Sequence, residues 1–270
     1  MSNHLSSNKI ERHDDGLSWI PKKLHGWIVP LALVVIWEVA AALHLVSATT
    51  LPAPSTIIAQ FFSLIASGEL FRHLGISAYR AGLGFLLGSA TGLLLGLSTG
   101  LGKLVERTLD PSLQMLRTIP LLALIPLFIL WFGVGEFSKI LMISLGAFFP
   151  VYLNTFLGIR NVDIKLVEVS RIFQYTRWQL LSKMIIPAAM PNILLGIRLS
   201  LGASWLVLVV AEMMGTSAGI GYMIQDARAY SQTDIVFVGI SIFAVIGKLS
   251  DSAIRLLERR WLHWRDTFKG

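Results

Sequence analysis

Charged side chains inside long apolar runs are the residues best placed to do chemistry, and this sequence has few of them. Arg198 and Glu212 fall near the two ends of one apolar stretch, Ile193–Met214. An ionisable group there is costly unless it is paired or meets a permeating ion. An arginine in that position can attract an anion, and the two together can form part of a gate. Snorkelling of Arg198 to the membrane surface and a structural hydrogen bond for Glu212 are the bland alternatives. Ser204 and Trp205 lie at mid-depth between them, as a small polar contact and a ring able to line a pathway. Enzymatic chemistry finds no such support. The six histidines, His4, His13, His25, His44, His73 and His263, fall singly, without metal-ligand spacing. No paired carboxylates share one apolar helix face, as general acid–base work requires. Zero cysteines exclude a disulfide framework, a thiolate zinc site, an iron–sulfur cluster and a cysteine nucleophile. The nearest run to a phosphate-binding loop, Gly100–Leu104, has neither the spacing nor the hydroxyl that such a loop needs.

The elements that position these residues are membrane spans. Hydrophobic residues make up 54% of the 270 positions and charged residues 14%, against roughly 25% charged in soluble domains. Mean hydropathy is +0.67. Ala81–Gly102, Thr118–Gly135 and Ile140–Ile159 are each uncharged and long enough to cross a bilayer. The pattern predicts an all-α, polytopic membrane protein with six transmembrane helices. These run over about 27–46, 77–100, 106–132, 139–159, 193–214 and 235–256, after a cytoplasmic tail over 1–26. An amphipathic helix over 49–72 lies along the outer interface. Pro111, Pro120 and Pro126 make the third span bent or broken, which a bilayer tolerates where neighbours satisfy the freed carbonyls.

Six spans place both termini on one side. Of the 23 lysines and arginines, all but Arg72, Arg80, Lys139 and Arg228 then fall on that same side, so both termini and the 160–190 loop are expected in the cytoplasm. Arg80 reads as an anchor at the outer surface, and Lys248 and Asp251 as a pair on one helix face. The net charge of +7 fits basic loops beside anionic membrane lipid. No basic stripe interleaves with exposed aromatics, so nucleic acid is not an expected partner.

Two patterns carry more than composition. Gly84, Gly88, Gly92, Gly96 and Gly100 recur at every fourth position of the second span. Small residues at that spacing let two helix backbones approach closely in lipid. The loop over 160–190 is too charged to span and too apolar for a solvated linker. It fits two short amphipathic helices, about 165–173 and 177–184, ending at Pro187, able to lie on lipid or insert into a groove on a partner.

In that loop Glu168-Val169-Ser170, then Gln174, then Met184-Ile185-Ile186-Pro187, resemble the Glu-Ala-Ala signature of ATP-binding-cassette importer permeases. Glu168 and Pro187 match in register, Met184 and Ile186 are conservative replacements, and Gln174 stands where the family has glycine. The segments Gln114–Pro120, Ala123–Leu127, Leu130–Gly133, Ala211–Met213 and Gly219–Tyr222, with Leu256–Arg259 and Trp261, are similar to the nitrate/sulfonate/taurine branch. Within that branch the aliphatic sulfonate permeases are most alike.

The resemblance covers about residues 27–265. It implies a type I importer permease fold in the bacterial cytoplasmic (inner) membrane, pairing with a second copy of itself. It further implies two copies of a separate ATPase, which bind ATP and Mg so that this chain holds no cofactor, and a periplasmic or lipid-anchored substrate-binding protein. Glu168, Val169, Ser170, Gln174, Met184, Ile186 and Pro187 are the implied ATPase-coupling residues. An aliphatic sulfonate is the implied cargo, with taurine, nitrate or another small anion or nutrient as alternatives. An ion-driven secondary transporter is the reading from another class, and the inverted repeat common there is not visible between 27–132 and 139–256.

Overall fold

The computed structural model describes residues 25–261, and these form helices with no strand among them. The expected tail over 1–26 lies outside the described residues except for its last two positions. Contacts divide the chain into two units, 1–56 and 57–270. The first holds α1 (His25–Ala42) and the start of α2 (Pro54–Ala66). Within it, Glu38 accepts hydrogen bonds from the Ser55 amide at 3.0 Å and the Ser55 hydroxyl at 2.7 Å. The acid inside the first apolar run thus serves the first turn of α2, where free N–H groups favour negative charge.

The second unit continues through α3 (Glu69–Leu101), α4 (Lys103–Thr118), a 3-10 turn over Leu121–Leu124, α5 (Ile125–Phe132) and α6 (Glu136–Arg160). Then come α7 (Ile164–Ile172), α8 (Arg177–Leu180), a π turn over Leu181–Ile185, α9 (Ile186–Met213), α10 (Ile220–Ala229) and α11 (Thr233–Trp261). Among the described residues, four helices are long and apolar enough to cross a bilayer: α3, α6, Arg177–Met213 as a single 37-residue helix, and α11. The pair α4 and 121–132, bent by 89°, makes a fifth when taken as one broken span. α1, apolar over Ile28–Ala42, is shorter.

Several boundaries differ from those expected. The amphipathic stretch over 49–72 is split at Gly68, whose φ of 76° ends one helix and starts another. As a result α3 begins two turns before residue 77. The helix does not end at Pro187. A proline ring crowds the carbonyl four residues back, and the preceding π turn, with the Ile186 amide donating to the Leu181 carbonyl, carries the chain through without a break. α10 has no counterpart in the sequence-based expectation.

α6 is the centre of the packing, held between α3 and α9. A Cβ at Gly84 would lie 2.5 Å from the Ile143 side chain, at Gly92 2.6 Å from the Phe148 carbonyl oxygen, and at Gly96 2.7 Å from Thr155 Cβ. At Gly88 it would overlap the Ser144 carbonyl oxygen. On the other side of α6, a Cβ at Gly196 of α9 would come 3.0 Å from the Pro150 carbonyl oxygen. Ile143, Ala147 and Val151 between them are fully buried. In lipid such contact is worth dispersion rather than apolar transfer, so it depends on backbone proximity that only glycine permits.

Gly82, also in α3, has nothing within 4 Å of its Cβ position. Gly88→Leu is therefore expected to cost about 3 kcal/mol of stability, and Gly82→Ala less than about 1 kcal/mol, by thermal unfolding in detergent. Equal midpoints for the two variants would contradict the close approach of α3 and α6.

Candidate functional site

Of the residues expected to couple to a partner, Glu168, Val169 and Ser170 lie in α7, Gln174 in the turn after it, Met184 in the π turn, and Ile186 and Pro187 at the start of α9. α7 ends in a left-handed turn: Gln174 has φ 53°, and the Tyr175 amide donates to the Ser170 carbonyl at 3.0 Å. That is the bond of a Schellman cap, whose left-handed position is usually glycine. The turn expected of a glycine is therefore present with glutamine in it, at the steric cost a side chain bears there. Thr176 then starts α8 with a reciprocal box. Its hydroxyl accepts from the Gln179 amide at 3.3 Å, and the Gln179 side chain accepts from the Thr176 amide at 2.9 Å. The buried Ser170 donates to the Val167 carbonyl at 2.6 Å.

Glu168 is exposed, and so are the large apolar groups beside it: Ile164, Val169, Ile172, Phe173 and Trp178. A cavity of about 610 Å³ opens between Leu166 of α7 and Met184, Pro187 and Pro191. An acid set among exposed apolar side chains on two short, capped helices suits insertion into a partner's cleft.

A second cluster joins the N-terminal ends of α3 and α6 to the C-terminal end of α9. Arg80 makes two parallel bonds of 2.6 Å to Glu136 and one of 2.7 Å to Glu212. It also donates to the Ala218 carbonyl at 2.7 Å. Glu212, 1% exposed, accepts from Ser77 and from the Gly221 amide at 2.9 Å. Ser77 accepts in turn from the Ile220 amide at 2.8 Å, and His73 Nδ1 from the Gly219 amide at 3.0 Å. Gly219, at φ 120°, has no room for a Cβ because the Glu212 carboxylate fills that space. Arg80 is thus a buried tie and not a surface anchor, and Glu212 is buried with its carboxylate engaged by Arg80, Ser77 and the Gly221 amide.

The remaining pathway candidates also sit in packed contacts. Arg198 bonds Asp251 of α11 at 2.6 Å and lies 3.9 Å from Glu258. Asp251 contacts Arg255 as well, so its partners are these two arginines in place of the expected Lys248. Ser204, fully buried, donates to the Ser200 carbonyl at 2.9 Å, and the Trp205 indole donates to Ser250 at 3.1 Å. The opening lies on another side of α9. A cavity of about 420 Å³ is walled by Ala203, Leu206 and Val207, by Phe149 of α6, and by Arg117 and Pro120 at the break after α4. In the sequence Arg117 reads only as one of the basic residues on the side of the termini, within the segment Gln114–Pro120.

Residues 88–263 match the family of binding-protein-dependent transport system inner membrane components. The chain belongs to that family. It is 61% identical over 92% of its length, and 92% of the relative's, to the putative aliphatic sulfonates transport permease SsuC of Bacillus subtilis. The SsuC protein of Escherichia coli is 46% identical, over 90% of this chain and 92% of its own. A crystal structure of an amino acid ABC transporter superposes on 75% of this chain and 96% of its own, with a TM-score of 0.62 at 19% identity. The fold is that of type I ABC importer permeases, and the chain is a multi-pass transport subunit of an inner membrane.

In this permease the buried Arg80 leaves two carboxylates behind if it is lost, and an uncompensated buried charge costs about 3–5 kcal/mol. Arg80→Gln is expected to lower stability by that amount in detergent unfolding. A change below about 1 kcal/mol would show that the tie carries no weight.

Proposed function

We propose that this permease forms the pathway through which an ABC importer moves aliphatic sulfonates inward, driven by a separate ATPase. The observation that carries the cargo is the 61% identity, over nearly the whole of both chains, to a relative named for aliphatic sulfonate transport. Taurine or nitrate would need the same anion pathway and is the second reading.

In this account α7 and α8 dock on the ATPase through Glu168, Val169 and the exposed apolar groups around them, while Ser170 and Gln174 fix the turn. Met184, Ile186 and Pro187 join that docked segment to α9 without a hinge of loose chain. The ATPase holds ATP and Mg, and this chain binds no nucleotide. Two copies of the permease pair in the membrane, with α1 and the bent α4–α5 pair completing six spans in each. The excess of basic residues supports a cytoplasmic position for the termini and α7–α8, with the Arg80–Glu212 cluster then on the side from which a substrate-binding protein delivers cargo.

The test is uptake of labelled propanesulfonate into proteoliposomes holding this chain, its ATPase and its binding protein. Uptake is expected only with ATP, competed by other alkanesulfonates more strongly than by taurine or nitrate. Glu168→Lys is expected to abolish uptake with membrane insertion intact. ATP-driven uptake unchanged in that variant would remove the coupling role of Glu168.

A further inference from the structure

Polar groups recur along one face of α4: Glu106, Asp110, Gln114 and Arg117 follow at three- or four-residue spacing. The first three are engaged. Glu106 pairs with Arg160 at 3.3 Å, and Asp110 accepts from the Tyr152 hydroxyl at 2.6 Å and from Gln114 at 3.3 Å. These contacts climb α6 from its last residue towards its middle, and Arg117 continues the climb. It stands just before the break at Ile119–Pro120, exposed, and lines the 420 Å³ cavity with Phe149 and Val207. Phe149 falls at the middle of α6, so the guanidinium is level with the interior of the long apolar helices and away from their ends.

Among the described residues, the Arg117 side chain makes no ion pair or hydrogen bond. Arg80, Lys139 and Arg160, nearer the helix ends, and Arg198, in the middle of α9, each reach a carboxylate. A cation facing an apolar cavity at mid-depth is kept where something anionic comes to meet it. The neighbouring break is a second sign, because irregular backbone at that depth occurs where it lines a cavity.

We propose that Arg117 is the anion-contacting residue of the pathway, its guanidinium taking the sulfonate head while Leu124, Phe149, Leu206 and Val207 take the alkyl tail. The planar fork of arginine matches two oxygens of an oxyanion at once, which a lysine point charge cannot do. The assignment rests on the sulfonate reading above for its cargo, and on the cavity for its place.

The experiment compares the wild-type complex with R117Q and R117K in proteoliposomes, with co-purification of the ATPase as the measure of assembly. R117Q is expected to assemble and to lose about tenfold or more of its propanesulfonate uptake, and R117K to retain an intermediate rate. Uptake by R117Q equal to wild type, or by R117K as low as by R117Q, overturns the proposal. Because the chain has no cysteine, R117C permits a second reading on the assembled transporter. An aminoethyl thiosulfonate that restores positive charge is expected to raise uptake and a neutral ethyl reagent to leave it low; equal effects of the two overturn the proposal. If the wild type takes up taurine or nitrate and not propanesulfonate, the cargo reading alone fails, and the same variants read with that anion still decide the role of Arg117.

Discussion

A charge withdrawn from water must meet its opposite, and Arg80 does so by tying three helices at one level. Its guanidinium holds Glu136 at the start of α6 and Glu212 at the end of α9 while itself belonging to α3. The same carboxylate fixes the Gly219–Gly221 turn and so the start of α10. Below that tie the glycine stripe keeps α3 against α6, and Gly196 keeps α9 against the other side of α6. Ionic closure at one end and backbone contact along the length leave these helices little freedom to slide independently. They move as one body or lose contacts that lipid does not replace.

That rigidity would give α7 and α8, docked as proposed, something to push. α8 runs through the π turn into α9 as one 37-residue helix, so a displacement at Trp178 or Lys183 reaches α9 directly. α9 then presents different partners around its circumference. Ser204 and Trp205 bond within the helix and to α11, whereas Ala203, Leu206 and Val207 form a wall of the cavity. A rigid α9 that pivots therefore changes the cavity against the broken α4–α5 pair, the one wall built from discontinuous helix.

Much of this was legible in the sequence. The glycine spacing foretold the close contact, and Pro120 foretold the break between α4 and the helix after it, because both signals are local; Pro111 sits inside α4 and Pro126 in the first turn of α5. The pair of short helices before α9 was legible from charge and apolar residues mixed in one short stretch. Pairings across 132 residues, as between Arg80 and Glu212, leave no mark in a single sequence, so Arg80 read as a surface anchor and Glu212 as a pathway candidate. For the same reason Arg198 drew attention while Arg117 did not: both are lone cations in the sequence, and only packing shows that one has Asp251 beside it. The helix at Ile220–Ala229 escaped because its apolar residues follow no long periodic run.

The central claim is that the coupling segment and the cavity wall move together, and the absence of cysteine from the chain allows it to be measured directly. A single cysteine at Ala203, in the assembled transporter, would be labelled with a water-soluble thiol reagent in the absence of nucleotide and with the ATPase held closed by a non-hydrolysable ATP analogue. The account predicts that the labelling rate changes on closure and that Glu168→Lys abolishes the change. A rate at Ala203 indifferent to nucleotide, in a complex that still transports, would contradict it.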